Sequence, residues 1–171
     1  MQPIFIGHTG TTALGDLWVA VSEFGLVAVQ FPAAQAEFSA WLQKKHAARV
    51  DLAPERVREA VTQLQEYAAG ERKEFSLTID WSVLREFQRK ALQATFEIPY
   101  GETRTYNDIA IKIGSPRAAR AVGRAEATNP MPVVLPCHRV IGADRKLHGY
   151  GAGLGLETKT WLLKLEGVFA T

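Results

Sequence analysis

One short segment contains the residue types that nucleophilic chemistry needs. Pro136-Cys137-His138-Arg139-Val140 places the only cysteine of the chain beside a histidine and an arginine. A thiol reacts as its thiolate, and a neighbouring base or positive charge favours that form. His138 and Arg139 therefore predict a lowered pKa for Cys137 and a reactive sulfur. The alternative is that this lone cysteine is only a small buried hydrophobe.

Cysteine and histidine counts limit the other chemistries. A single cysteine cannot form an internal disulfide, and the four histidines are scattered without zinc-ligand spacing, so we expect neither a disulfide nor a metal. Residues 1–7 do not resemble an export signal, and the longest apolar run, residues 17–31, is interrupted by polar residues and glycine. We therefore expect a cytoplasmic protein, inside a reducing compartment and without a membrane span.

Positive charge is concentrated in the second half of the chain. Residues 1–99 carry 10 basic and 12 acidic side chains, whereas residues 100–171 carry 10 basic and 6 acidic ones. Five basic residues lie close together against a single Asp108: Arg104, Lys112, Arg117, Arg120 and Arg124. This density favours a polyanionic partner such as nucleic acid, the alternative being a solvated helix face.

A helix-turn-helix is predicted around this basic segment. Thr105 can cap a short helix at residues 106–113, and Gly114 breaks it. Ser115 would cap the second helix, with Pro116 at its first position, where a missing N–H costs nothing. The second helix would present three arginines at spacings of three and four with small residues between them: Arg117, Arg120, Arg124, Ala121 and Gly123. Such a helix can approach a partner closely, which favours nucleic acid.

The remaining patterns predict an α+β protein of two domains. Three short β-branched and aromatic runs indicate an antiparallel meander, residues 33–49 and 54–69 have helical periodicity, and residues 76–81 could return to the sheet. Residues 1–80 would form an N-terminal α+β domain. Residues 81–171 would form a mostly helical, winged-helix-like domain that contains the helix-turn-helix and binds nucleic acid. The second domain begins with a helix at residues 84–94 and ends with one that carries Glu166.

Several motifs together resemble the O6-alkylguanine-DNA alkyltransferases over residues 86–168. Besides the cysteine segment, the matching motifs are Pro99-Tyr100-Gly101-Glu102-Thr103-x-Thr105-Tyr106, Asn129-Pro130, Gly149-Tyr150 and Trp161-Leu162-Leu163-x-x-Glu166-Gly167. Residues 1–80 resemble the family's N-terminal domain in strand and helix order and in a Ser22-Glu23-x-Gly25-Leu26 turn. The segment from Tyr150 to Trp161 is longer than in many members, and His148 beside it is bulkier than the usual residue.

The resemblance implies a suicide mechanism. Cys137 would attack the alkyl carbon on guanine O6 in one displacement, His138 would draw the thiol proton through water, and Glu166 would orient the imidazole. Tyr106 would give a proton to guanine N3, and Asn129 would hold the turn that carries the cysteine. No cofactor is implied, and the protein would be consumed in the reaction.

The resemblance also implies how DNA is bound. A monomer would contact alkylated double-stranded DNA through its minor groove, with Arg120 filling the stack that the flipped base leaves. Further DNA contacts would come from Arg117, Arg124, Ala121, Gly123 and Ser115. The base pocket would be formed by Val140, Tyr150, Gly151 and Pro132, with backbone carbonyls of Cys137 and Val140 accepting from the guanine amine and a backbone N–H near Gly151 meeting O6.

Two other classes remain open at this point. A lesion-binding relative without catalysis would keep the helix-turn-helix and the pocket but would replace the nucleophile, and the presence of Cys137 argues against it. A cysteine hydrolase would use the same cysteine and histidine but would turn over repeatedly. The number of transfers per protein molecule distinguishes these classes from a suicide acceptor.

Overall fold

The computed structural model describes residues 2–169. It contains two compact units, Met1–Val83 and Leu84–Thr171, each with its own hydrophobic core. The first unit combines a sheet with helices and the second is mostly helical, which confirms the predicted α+β class. Within residues 2–169, no helix has the length and apolar character needed to cross a membrane.

A four-stranded sheet forms the frame of the first unit. Its elements are, in chain order, β1 (Pro3–Thr12), β2 (Gly15–Ser22), β3 (Gly25–Gln30), α1 (Gln35–His46), β4 (Arg49–Leu52) and α2 (Arg58–Ala68). The strands have the spatial order β3-β2-β1-β4; the first three are antiparallel, as predicted, and β4 is parallel to β1. Phe38 and Leu42 of α1 are fully buried in the core that covers the sheet.

The helical periodicity of residues 33–49 predicts a single helix, but in the structure α1 ends at His46 and β4 begins at Arg49. Ala47 adopts the left-handed conformation, with φ of 49°, and this ends α1 and turns the chain into β4. A four-residue edge strand is too short to give an alternating pattern. The predicted return of residues 76–81 to the sheet is a single parallel bridge between Ile79 and Leu26.

The second unit packs helices around a small parallel ribbon. Its elements are α3 (Glu86–Phe96), β5 (Arg104–Thr105), α4 (Tyr106–Lys112), α5 (Ala119–Ala127), a 3₁₀ turn (Cys137–Arg139), β6 (Val140–Ile141) and α6 (Leu156–Leu165). Ala91 of α3, Ile109 of α4 and Val122 of α5 meet in its core. Strand β5 leads directly into α4, and β6 follows the 3₁₀ turn of Cys137 directly. The pairing of Thr105 with Ile141 therefore fixes the start of α4 relative to the cysteine turn.

The predicted N-terminal cap is present at α4 but not at α5. Thr105 caps α4 as predicted: its side chain accepts from the Asp108 backbone N–H, and the Asp108 carboxylate accepts from the Thr105 N–H at 2.8 Å. The prediction that Ser115 caps α5 was wrong. Ser115 is in a turn, where its carbonyl accepts from the Ala118 N–H at 2.9 Å, and α5 begins only at Ala119.

Candidate active site

The cysteine lies on a buried turn that Asn129 holds in place. The Asn129 amide donates to the Leu135 carbonyl at 2.8 Å, and its oxygen accepts from the Met131 N–H at 2.9 Å. Between them Val133 has a φ of 75°, a conformation that a β-branched residue adopts only when its surroundings enforce it. Asn129 also forms a hydrogen bond with the Cys137 side chain, which favours the thiolate.

Cys137 is accessible from a cavity of about 460 Å³ in the second unit. The lining side chains that matter for the chemistry are Tyr106, Arg120, Glu126, Cys137, Tyr150 and Lys159. The residue Cys137 is 6% exposed, and the burial of its thiol, reinforced by the nearby Glu126 carboxyl, raises the pKa of Cys137 to about 12. The expectation of a lowered pKa is therefore wrong for the DNA-free protein, because desolvation outweighs the groups that favour the thiolate.

The sequence predicts that Arg139 favours the Cys137 thiolate. In the structure Arg139 instead forms hydrogen bonds with Glu166. Its guanidinium donates to Glu166 through Nε at 2.9 Å and through a terminal nitrogen at 2.8 Å, and a further nitrogen donates to the Ile98 carbonyl at 2.6 Å. Burial would raise the pKa of Glu166, but the hydrogen bonds and charges of His138 and Arg139 lower it to about 2. Glu166 is therefore an ionised carboxylate at neutral pH.

Glu166 determines which nitrogen of His138 carries the proton. His138 is fully buried, and its Nε2 lies 2.8 Å from Glu166 Oε1. Because an ionised carboxylate can only accept, Nε2 must be the donor. Burial lowers the pKa of His138 although Glu166 opposes this, so the ring is neutral and its basic lone pair is on Nδ1. The pair has the geometry of a base and its orienting carboxylate.

Tyr106 and Lys159 contact the same backbone carbonyl at the edge of the cavity. Tyr106 donates its hydroxyl to the His148 carbonyl at 3.0 Å, and burial raises the pKa of Tyr106 to about 12. Lys159 is buried, and its Nζ donates to the Val140 carbonyl at 2.8 Å and lies 3.3 Å from the His148 oxygen. Tyr106 therefore keeps its proton across the physiological range. Burial lowers the pKa of Lys159, although the charges of Cys137 and Glu126 oppose this.

Position 151 requires glycine because the backbone there lies very close to the backbone at the end of α5. A Cβ built on Gly151 would clash with the carbonyl oxygen of Ala127, at the end of α5. Only glycine allows the loop after Tyr150 to close over the cavity at this point. This supports its predicted place in the pocket.

Comparison with known proteins identifies the family. The profile described as "6-O-methylguanine DNA methyltransferase, DNA binding domain" matches residues 86–168, and "6-O-methylguanine DNA methyltransferase, ribonuclease-like domain" matches residues 8–81. The methylated-DNA–protein-cysteine methyltransferase of Methanosarcina acetivorans is 43% identical over 157 residues, which is 90% of this chain and 93% of that protein. The chain belongs to the methylated-DNA–protein-cysteine methyltransferase family.

Further family members give the same result. The constitutive methyltransferase of Bacillus subtilis is 43% identical over 94% of both chains. The crystal structure of Mycobacterium tuberculosis OGT in complex with DNA aligns with 96% of this chain and 92% of that one, at 37% identity and a TM-score of 0.74. The resemblance noted from the motifs is thereby confirmed, and so is the α+β fold.

The structure brings most of the candidate pocket residues together. Among the residues named from sequence, the cavity is lined by Tyr106, Arg120, Gly123, Cys137, Tyr150 and Gly151. The prediction that Val140 and Pro132 form the pocket is not met by their side chains, since both residues are buried and neither lines the cavity. The Val140 side chain packs in the core of the unit. Its backbone carbonyl accepts a hydrogen bond from Lys159, which does line the cavity.

The candidate DNA contacts are distributed over α5 and the turn before it. Arg120 and Arg124 are exposed on α5, together with the half-buried Ala121. Arg117 is exposed in the turn before α5, so the predicted three-arginine helix face contains only two arginines.

Two ionisable residues that line the cavity were missed from sequence, Glu126 and Lys159. Glu126 is flanked by Ala125 and Ala127 and lies four residues after Val122, so this helical spacing was the only sequence signal for its burial. Lys159 could have been noticed, because it lies three and four residues before the buried Leu162 and Leu163 and thus on the apolar side of α6. Among residues 2–169, no three His, Cys, Asp or Glu side chains are grouped so that they could hold a metal ion.

Proposed function

We propose that the protein repairs O6-alkylguanine in double-stranded DNA by transferring the alkyl group to Cys137. The observation that carries this proposal is the location of the only cysteine inside the cavity that Tyr106 and Arg120 line. A bond forms between the sulfur and the alkyl carbon, and the bond from that carbon to O6 breaks. The electron pair remains on guanine, which takes a proton from Tyr106, and the proton that leaves Cys137 restores the Tyr106 hydroxyl through water.

The His138–Glu166 pair supplies the base for this step. The Cys137 proton passes to Nδ1 of His138 through water, and Glu166 stabilises the imidazolium that results. Asn129 and Lys159 favour the thiolate at the same time, one by a hydrogen bond and the other by its charge. Because the pKa of the resting thiol is raised to about 12, the sulfur needs this base to become a thiolate at neutral pH.

The damaged base has to leave the helix to reach the cavity. Flipping costs a few kcal/mol and less for a poorly paired base, and alkylation of O6 weakens pairing. Arg120 is exposed on α5 and also lines the cavity, so its side chain is suited to fill the vacated stack while α5 lies in the minor groove. Arg117, Arg124 and the small residue Ala121 would approach the backbone beside it.

The carbonyls of Cys137 and Val140 are suited to accept from the guanine amine. The Cys137 carbonyl accepts from the Val140 N–H and the Val140 carbonyl accepts from Lys159, and a carbonyl oxygen has two lone pairs with which to accept. We also assign alkyl acceptance and DNA binding to the second unit alone, because all the side chains of this mechanism lie between residues 84 and 171.

A thioether has no easy leaving group, so each protein molecule acts once. Such a protein needs a reduced thiol and access to DNA, and we therefore propose a cytoplasmic location. The test is to incubate a duplex containing one O6-methylguanine with increasing amounts of protein and to quantify the remaining lesion. We expect repair to stop at one lesion per wild-type molecule and to be absent with Cys137→Ser. Repair beyond one equivalent would contradict a suicide mechanism, and repair by Cys137→Ser would reveal another nucleophile.

A further inference from the structure

Glu126 is a buried acid in the cavity to which the mechanism above assigns no role. It lies on α5, is 5% exposed and lines the cavity together with Cys137. One of its oxygens contacts the Thr95 hydroxyl of α3, and the other, Oε2, has no hydrogen-bond partner among residues 2–169. A buried polar atom without a protein partner at the wall of a cavity points to an interaction with what reacts or binds there.

The contacts of Thr95 favour the protonated acid. The Thr95 hydroxyl lies 3.0 Å from the Ala91 carbonyl as well as next to Glu126 Oε1, and it has only one hydrogen to donate. If Glu126 is a carboxylic acid, it donates to Thr95, and Thr95 donates to Ala91, so both contacts are satisfied. Burial raises the pKa of Glu126 to about 8, although Thr95 and the Lys159 cation oppose this.

The ionisable groups around Glu126 come from several elements. Cys137 is contributed by the 3₁₀ turn, Tyr106 by α4 and Lys159 by α6, while Arg120 lines the cavity from α5 itself and His148 from the loop before α6. A charged Glu126 raises the pKa of both Cys137 and Tyr106. Lys159 is attracted to both Glu126 and the thiolate, so a carboxylate at Glu126 competes with the thiolate for the same cation.

We propose that Glu126 is a positioning residue for the Cys137 thiol: alkyl transfer requires its uncharged carboxylic acid, whereas its carboxylate keeps the thiol protonated and unreactive. This inference rests on the proposed function for its substrate but concerns the thiol itself. At neutral pH the acid presents Oε2 as an uncharged acceptor at the cavity wall. When Glu126 loses its proton, the negative charge in the pocket opposes the thiolate.

Because the chain has a single cysteine, alkylation by iodoacetamide followed by intact mass reports on Cys137 alone. We would measure this rate from pH 6.5 to 9.5 for wild type, Glu126→Gln and the control Glu157→Gln, which removes an exposed carboxylate of α6. The alkylation rate of Glu126→Gln divided by that of wild type should be near one at pH 6.5 and rise to about tenfold at pH 9.5. A tenfold ratio corresponds to a thiol pKa that is lower by roughly one unit in the variant. The control ratio should remain near one.

A ratio for Glu126→Gln that does not change with pH would overturn the inference, since a purely structural effect of the substitution has no such dependence. Wild type alone provides a second readout: ¹³C NMR of the glutamate carboxyl carbons should show one group that titrates near pH 8, and its absence would equally overturn the inference.

Methyl transfer from an O6-methylguanine duplex, measured over the same pH range, separates the two proposals. If the iodoacetamide ratio rises but wild type transfers no methyl group, the proposed function fails and the role of Glu126 in controlling the thiol stands. If wild type transfers the methyl group but the ratio stays flat, only the inference on Glu126 fails.

Discussion

Replacing Glu166 with glutamine removes one buried negative charge and keeps the shape of the side chain. In wild type this carboxylate accepts from His138, from two nitrogens of Arg139 and from the Gly101 N–H at 3.3 Å. Arg139 is 6% exposed and cannot give up its proton, so the substitution leaves a buried cation without its counter-charge. We expect Glu166→Gln to lose stability as well as repair activity.

Two independent estimates of the loss agree. Breaking a buried ion pair by removing one partner costs about 3–5 kcal/mol. The decrease in the pKa of Glu166 from 4.5 to about 2 corresponds to roughly 3 kcal/mol of stabilisation by the folded state. Because the glutamine amide can still accept one hydrogen bond, we expect the lower end, about 3 kcal/mol.

Urea unfolding at pH 7 measures this loss directly. The midpoint should fall while the slope stays unchanged, since the surface exposed on unfolding is the same. Glu102→Gln is the matched control, because Glu102 pairs with Arg104 at 3.0 Å on the exposed surface and its loss should change stability by about 1 kcal/mol or less. If the two variants lose the same amount, Glu166 does not neutralise Arg139 in the way the contacts indicate.

The difference between wild type and Glu166→Gln should also depend on pH in a defined direction. Since the pKa of Glu166 is lower in the folded state than in the unfolded chain, its contribution is complete above about pH 4.5 and is lost as pH falls towards 2. The gap in unfolding free energy should therefore shrink between these values. A gap that stays constant across that window would contradict the assignment of the low pKa to Glu166.

Three further predictions concern the cavity. Tyr106→Phe should slow methyl transfer by roughly 100- to 10,000-fold while DNA binding measured by fluorescence anisotropy changes little, because one proton donor is lost; equal losses in both would place Tyr106 in DNA binding. Arg120→Ala should slow repair of duplex DNA by about tenfold, since a stacked side chain contributes about 1–3 kcal/mol, but should leave reaction with free O6-alkylguanine base nearly unchanged. Gly151→Ala should slow both reactions, because its methyl group meets the Ala127 carbonyl; unchanged rates would show that the loop relaxes without cost.

The parts of the fold that the sequence could predict are those with a strong local signal. Thr105 indicated the cap of α4, and the short β-branched and aromatic runs before residue 31 indicated the meander. The two-residue strands β5 and β6 and the short β4 depend on pairing between distant segments, which leaves no periodicity to detect. The start of α5 moved to Ala119 because residues 115–118 form a turn of their own.

The same distinction applies to the site. Cys137, His138 and Glu166 could be named because they are parts of motifs, and His138 and Glu166 meet at 2.8 Å in the structure. The raised pKa of the thiol could not be predicted, since it results from burial by segments far apart in the chain. Glu126 was hidden for the same reason: a glutamate on a helix of nine residues is usually exposed, and only packing against α3 buries it.

The most direct test of the central claim is the intact mass of the protein after incubation with excess O6-methylguanine duplex, followed by peptide mapping. We predict a single added methylene unit per molecule, located on Cys137, with no further increase on longer incubation. An unchanged mass while the lesion disappears, or a methyl group on any other residue, would contradict the assignment of Cys137 as the irreversible acceptor.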